Sequence, residues 1–272
     1  MRYSMARSVN RTTLLTLDGI AIILVLLSHA YPPPIPNSGV YGVLIFGFTS
    51  GYKLILNHKE DILDKAFLRA YAAKRFVRLI KPYVGYTLLI LPALASLVLF
   101  SNKFQYLSNF EQVRSLQSTS MQDLVIQFLI GRNPFVVSLW FLYTLAIVTL
   151  FCFLLIYFFD IRLLFLLLPI VIMLYIYSIV SIVMPAFIMG ILFAYYLPLY
   201  SISDNPLAHC GRHAFHIYLL HGPFILPALY VILKLVPTTE LIRTLILITL
   251  TIIVSIGVYN LLEKLKINRL FE

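Results

Sequence analysis

The sequence predicts an all-α protein, a polytopic transmembrane helix bundle of about eight spans (up to ten) with both termini cytoplasmic. Three observations carry this. Hydrophobic residues are 61% of the 272, against ~45–50% in a soluble globular domain. Charged residues are only 12%, and the mean hydropathy is +0.92. Apolar runs recur along the whole chain at the ~20 residues that a bilayer crossing requires. Such a chain could not hide its surface in water. A soluble enzyme, a disordered tail and a secreted disulfide scaffold are excluded, and residues 1–272 read as a single integral-membrane domain.

The expected spans are 13–31, 39–57, 80–100, 138–159, 162–181, 184–200, 213–236 and 241–262. The run Tyr31-Pro32-Pro33-Pro34-Ile35-Pro36 parts the first two, Met184-Pro185 makes a tight turn between the fifth and sixth, and Pro237-Thr238-Thr239 parts the last two. Proline lacks the N–H a helix interior needs, which is why it marks these breaks. Residues 101–137 are the longest polar stretch, within which 121–130 predicts a short interfacial or re-entrant helix.

Orientation follows from the basic residues, which collect on the cytoplasmic side. With the N-terminus inside, that side gathers Arg2, Arg7 and Arg11, the seven cations from Lys59 to Lys81, Arg162, Arg212, Lys264, Lys266 and Arg269. The outside gathers only Lys103, Arg114, Arg132, Lys234 and Arg243, and Lys53 lies within the second span. The net charge of +10 is thus a topology signal and implies no nucleic-acid partner. Residues 1–30 have the basic start and apolar run of a leader peptide, but Asp18 inside the run argues against one. Cys152 and Cys210 stand at no metal-like spacing, so neither a disulfide framework nor a metal site is expected.

Ionisable groups within a span are costly and mark sites that face the bundle interior. The first span holds Asp18 and His29, 11 residues and about three turns apart on one face, ~16 Å along the axis, with Arg11 continuing the stripe. His29 reads equally as an interfacial histidine. The seventh holds His213 and His216 near its start, then His221 before Gly222-Pro223, where it could equally satisfy a backbone carbonyl that the proline frees. Lys74, Arg78 and Lys81 share a helical face, with Arg75 one turn before Arg78. Such a cluster sets topology and touches anionic lipid, or grips a pyrophosphate with forked guanidiniums. Trp140 and Tyr143 sit where an aromatic belt is expected, and Ser50-Gly51 suits close helix packing.

Five islands, in order, resemble the membrane acyltransferase-3 family of acyl-CoA-dependent O-acyltransferases. They are Leu17-Asp18-Gly19 through Ser28-His29-Ala30; Phe46-Gly47-Phe48-Thr49-Ser50-Gly51-Tyr52; Lys74-Arg75-Phe76-Val77-Arg78 through Lys81-Pro82-Tyr83; Ser138-Leu139-Trp140-Phe141-Leu142; and Gly211-Arg212-His213 through Ile217-Tyr218-Leu219-Leu220-His221-Gly222-Pro223. The Trp-Phe-Leu form is similar to the sugar O-acetyltransferase branch. The resemblance implies His29 as the catalytic histidine and Lys74, Arg75 and Arg78 as the acyl-CoA site. Asp18, Ser50, Trp140, Tyr218 and His221 are further candidates. Three features depart from the family pattern, one being that Leu145 and Ala146 stand where many members carry a glutamate after the tryptophan motif. Asp18 stands where the family usually has an arginine, and eight spans are fewer than its usual ten or so.

The expected reaction moves an acyl group, by resemblance acetyl, from cytoplasmic acetyl-CoA to a hydroxyl of a cell-envelope carbohydrate or glycolipid, in a prokaryotic cytoplasmic membrane, with no metal. An alcohol is almost fully protonated near pH 7, so it needs a base within hydrogen-bond reach. His29 suits that task. Asp18 is too far away to orient it, which leaves the orienting group to another helix. A small transporter or flippase for a lipid-linked sugar, and an inactive family member, stand as the alternatives.

Overall fold

The computed structural model describes residues 2–30, 33–58, 61–62, 64–101, 118–132, 136, 139–159, 161–178, 180–196 and 205–264. Ser138, the Tyr31-Pro32 pair and the cations Lys59, Lys103, Arg114, Lys266 and Arg269 lie outside them. Among the described residues all regular structure is helical. The helices are α1 (Arg2–His29), α2 (Ser38–His58), α3 (Lys65–Ser101), α4 (Met121–Leu129), α5 (Trp140–Phe158), α6 (Ile161–Ile176), α7 (Val183–Tyr196), α8 (Pro206–Arg212), α9 (Ala214–Leu220), α10 (Leu226–Lys234) and α11 (Glu240–Lys264).

Four of these are long and apolar enough to cross a membrane: residues 11–29 of α1, all of α2, α5 and α11. Helices α6 and α7 are apolar but shorter. Outward-facing Leu88, Leu89, Phe165, Leu166, Met173 and Ile253 are all more than half exposed, the surface expected of a chain whose surroundings are lipid. The predicted eight crossings are therefore seen in coarser form, as an all-helical bundle with four membrane-length helices among the described residues.

Several boundaries differ from the sequence reading. The basic connection between the second and third expected spans, 39–57 and 80–100, is mostly helix, because α3 begins at Lys65 and continues for 37 residues through Pro82 and Pro92. Asp64 opens it, its carboxylate accepting the Ala66 N–H at 2.8 Å, a normal N-terminal cap. The turn expected at Met184-Pro185 falls earlier, between α6 and α7 around Ser178, whose φ is +58°. Pro185 lies in the first turn of α7, where its missing N–H costs nothing.

The expected seventh span is broken in three. Helix α9 ends at Leu220, residues 221–225 form a π-helical turn, and α10 resumes at Leu226. The Leu226 N–H reaches back to the His221 carbonyl, the five-residue step of a π turn. Pro223, which has no N–H to give, sits inside it.

The core is a sandwich of α1, α2 and α7 joined by glycines. Helices α1 and α2 run antiparallel, while α2 and α7 run side by side. A Cβ on Gly51 would strike the Phe187 carbonyl, and one on Gly190 the Phe48 carbonyl, so only glycine lets these backbones approach so closely. The short α8 crosses α1 in the same way, with Gly19 against Leu207 and Gly211 against Leu15. Asn205 caps α8 by accepting the Ala208 N–H at 3.0 Å and donates to Thr16 of α1 at 3.1 Å.

Helix α3 packs chiefly on α5. Between them the predicted short helix appears as α4, started by Ser120, which accepts the Asp123 N–H at 3.1 Å. Its last carbonyls, which a helix leaves unpaired, accept tyrosine hydroxyls: Tyr83 donates to Phe128 at 2.7 Å and Tyr143 to Leu129 at 2.9 Å.

Candidate functional site

The antiparallel path of α1 and α2 gives the bundle two ends. One carries the first turns of α3 with their cations; the other carries the last residue of α1, His29. At this second end the π turn begins with His221. Its ring centroid lies 5.3 Å from that of His29, with the planes tilted by 43°. The two rings differ in setting. His29 is exposed, whereas His221 is completely buried.

His221 is held by its own helix. Its Nδ1 lies 2.7 Å from the Tyr218 carbonyl and 3.2 Å from the Ile217 carbonyl. Carbonyls only accept, so Nδ1 carries the proton and the neutral ring presents a bare lone pair at Nε2. That Nε2 is buried and has no hydrogen-bond partner among the described residues. A buried acceptor left unpaired is costly, and the ring beside it is His29. The backbone bond that the sequence offered as one role for His221 is thus made by Nδ1, which leaves Nε2 for another partner.

An aromatic wall backs the pair. The Tyr218 ring lies 5.7 Å from His221 and 5.7 Å from Phe141. Phe46 stands 5.9 Å from Phe141 and 6.5 Å from Tyr218. Three of the five sequence islands, those of Phe46, Phe141 and Tyr218, therefore meet beside His29, although 172 positions separate the first ring from the last in the numbering. Trp140 opens α5 with its ring 6.2 Å from Phe141 and is partly exposed.

Asp18 is not part of this site. It is buried on α1, where it accepts the Thr49 hydroxyl at 2.6 Å and forms an ion pair with Lys53 of α2. Lys53 and Thr49 were not among the expected site residues. The signal was present: Asp18 and Lys53 are opposite charges inside neighbouring spans, and intramembrane charges seek one another. Ser50 is half-buried on α2 beside Gly51. Lys74 and Arg78 are exposed on α3. Arg75 is partly buried, and its Nε is enclosed without a hydrogen-bond partner among the described residues. These three lie on a helix that packs on α5 and are not brought to the histidine pair. Among the described residues no three His, Cys, Asp or Glu side chains gather as a metal site.

Comparison with known proteins gives one match. The family model Acyl_transf_3, an acyltransferase domain, matches residues 15–205. No curated protein matches the sequence, and no solved structure matches the fold.

Proposed function

This chain belongs to the acyltransferase-3 family, and on that premise we propose that it is a membrane O-acyltransferase of the sugar O-acetyltransferase kind. It moves an acetyl group from acetyl-CoA to a hydroxyl of a cell-envelope carbohydrate or glycolipid in a prokaryotic cytoplasmic membrane. The observation that carries the reading is the apposition of an open His29 and a buried His221 whose tautomer is dictated by backbone carbonyls.

The chemistry follows from that pair. The acceptor hydroxyl oxygen attacks the thioester carbonyl carbon while one nitrogen of His29 takes the hydroxyl proton, a step worth ~10²–10⁴-fold. As attack proceeds, the other nitrogen of His29 swings to donate to Nε2 of His221, unpaired at rest, which orients the base and shares the charge that grows on it. The tetrahedral intermediate collapses with loss of the CoA thiolate, which recovers the proton from His29. An ester and free CoA result. Lys74, Arg75 and Arg78 hold the CoA phosphates at the basic end, and the pantetheine arm runs between helices to His29. Donor and acceptor therefore approach from opposite sides of the membrane.

Sealed vesicles of known orientation supplied with labelled acetyl-CoA and carbohydrate acceptor test this. Transfer is expected with free CoA released in step, and His29→Ala is expected to lose it by at least about 100-fold. Undiminished transfer in His29→Ala overturns the reading. The helix break at His221–Ile225 also suits a translocation path. Movement of a lipid-linked sugar without any CoA requirement would favour that transporter reading instead.

A further inference from the structure

A groove of about 420 Å³ runs between the first turns of α3 and the last turns of α5. It lies at the basic end and shares no lining residue with the wall around His29. Helix α3 contributes Leu68, Ala72 and Phe76, at i, i+4 and i+8 on one face; α5 contributes Phe153, Leu154 and Phe158. Ala72 and Ala73 give the groove its depth, because longer side chains there would fill it. Its length along α5, from Leu150 to Phe158, is ~12 Å.

Among the described lining residues of this apolar trough the one charged side chain is Arg69. Lys65 is one turn earlier on α3, with its Nζ 5.3 Å from the ring of Tyr157, itself a lining residue. Two cations thus stand at one mouth of a channel suited to methylenes. On the same helix start the Asp64 carboxylate accepts the Ala66 N–H, and Asp61 is exposed.

We propose that this groove binds one anionic phospholipid, with an acyl chain laid between α3 and α5 and the phosphodiester on Arg69 and Lys65. The apolar lining alone would accept any lipid tail. The paired cations select the headgroup, since basic pockets between helices at the membrane surface bind anionic lipid head groups. A phosphate oxygen accepts from the Arg69 guanidinium in a forked, charge-assisted geometry, and Lys65 adds a second charge one turn away. The proposal is independent of the acyl-transfer reading, because neither histidine takes part in it.

Native mass spectrometry of the intact protein, released from bilayers of equal phosphatidylglycerol and phosphatidylcholine, tests the site. The wild type is expected to retain one phosphatidylglycerol in preference to phosphatidylcholine. Arg69→Gln is expected to lower that preference about fivefold, and Ala72→Phe to abolish retention by filling the groove. Lys234→Gln, an exposed cation on α10, is expected to behave as wild type. The proposal is overturned by equal retention of the two lipids in the wild type, by unchanged retention in both groove variants, or by a second copy of the chain on this face in place of lipid.

Discussion

His221 turns its Nδ1 to the Tyr218 carbonyl and leaves Nε2 without a partner among the described residues, in a ring whose centroid is 5.3 Å from that of His29. A single buried side chain thereby takes its tautomer from the backbone and has an acceptor left to offer. His221→Phe should keep most of the packing and remove that acceptor. A hydrogen bond to a group that becomes charged is worth about 1.5–3 kcal/mol, so acyl transfer should fall about 10–100-fold. The loss should sit in kcat, with KM for acetyl-CoA little changed. A rise in KM with kcat intact would make His221 a binding residue instead.

The Asp18–Lys53 pair should behave as one unit. Asp18→Asn leaves the Lys53 ammonium without its counter-charge, while Thr49 keeps its acceptor. Breaking a buried pair costs 3–5 kcal/mol. Lys53 is 35% exposed in its side chain, so solvent reduces this to about 1–3 kcal/mol. Thermal unfolding in detergent should show the loss, and Asp18→Leu with Lys53→Met should regain at least half of it. An additive double variant would show that the two charges do not support one another.

Two glycines should respond in opposite senses. Gly211→Ala drives a Cβ into the Leu15 carbonyl and must part α8 from α1, at about 1–3 kcal/mol for an overpacked contact. Gly257→Ala on α11 meets nothing within 4 Å and should stabilise by about 0.5–1 kcal/mol, because alanine is the better helix former. Midpoints from one unfolding series would decide both, and a stabilising Gly211→Ala would refute the close crossing.

Removing the tyrosine hydroxyls that hold α4 should loosen it without unfolding the bundle. Tyr83→Phe and Tyr143→Phe each delete one bond to a last-turn carbonyl, worth about 1 kcal/mol. Hydrogen exchange across residues 121–132 should quicken in each variant, and more in the double, while exchange in α1 and α2 stays as in the wild type. Equal quickening throughout would mean that α4 is not tied by these two residues.

Composition and the spacing of apolar runs were enough to determine an all-helical, lipid-facing chain, because burial in a bilayer demands ~20 apolar residues per crossing whatever their neighbours are. Single residues carried local events equally well. Pro223 marked the break in the seventh span, and the polar flanks of 121–130 marked α4. The sequence also held His29 and His221 as separate candidates.

Only the tertiary structure brought those two rings together beside Phe46, Phe141 and Tyr218, and only it drew Lys53 to Asp18. A hydropathy pattern reports how much of each helix avoids water but not which helix it meets. That choice rests on close approaches such as Gly51 on Phe187 and Gly19 on Leu207, which set the neighbours of α2 and α1. They involve residues more than a hundred positions apart, so no local pattern records them. The basic stretch Lys65–Lys81 shows the same limit in reverse. Its charges were plain in the sequence, but its continuation as one helix with the apolar half of α3 depended on packing against α5.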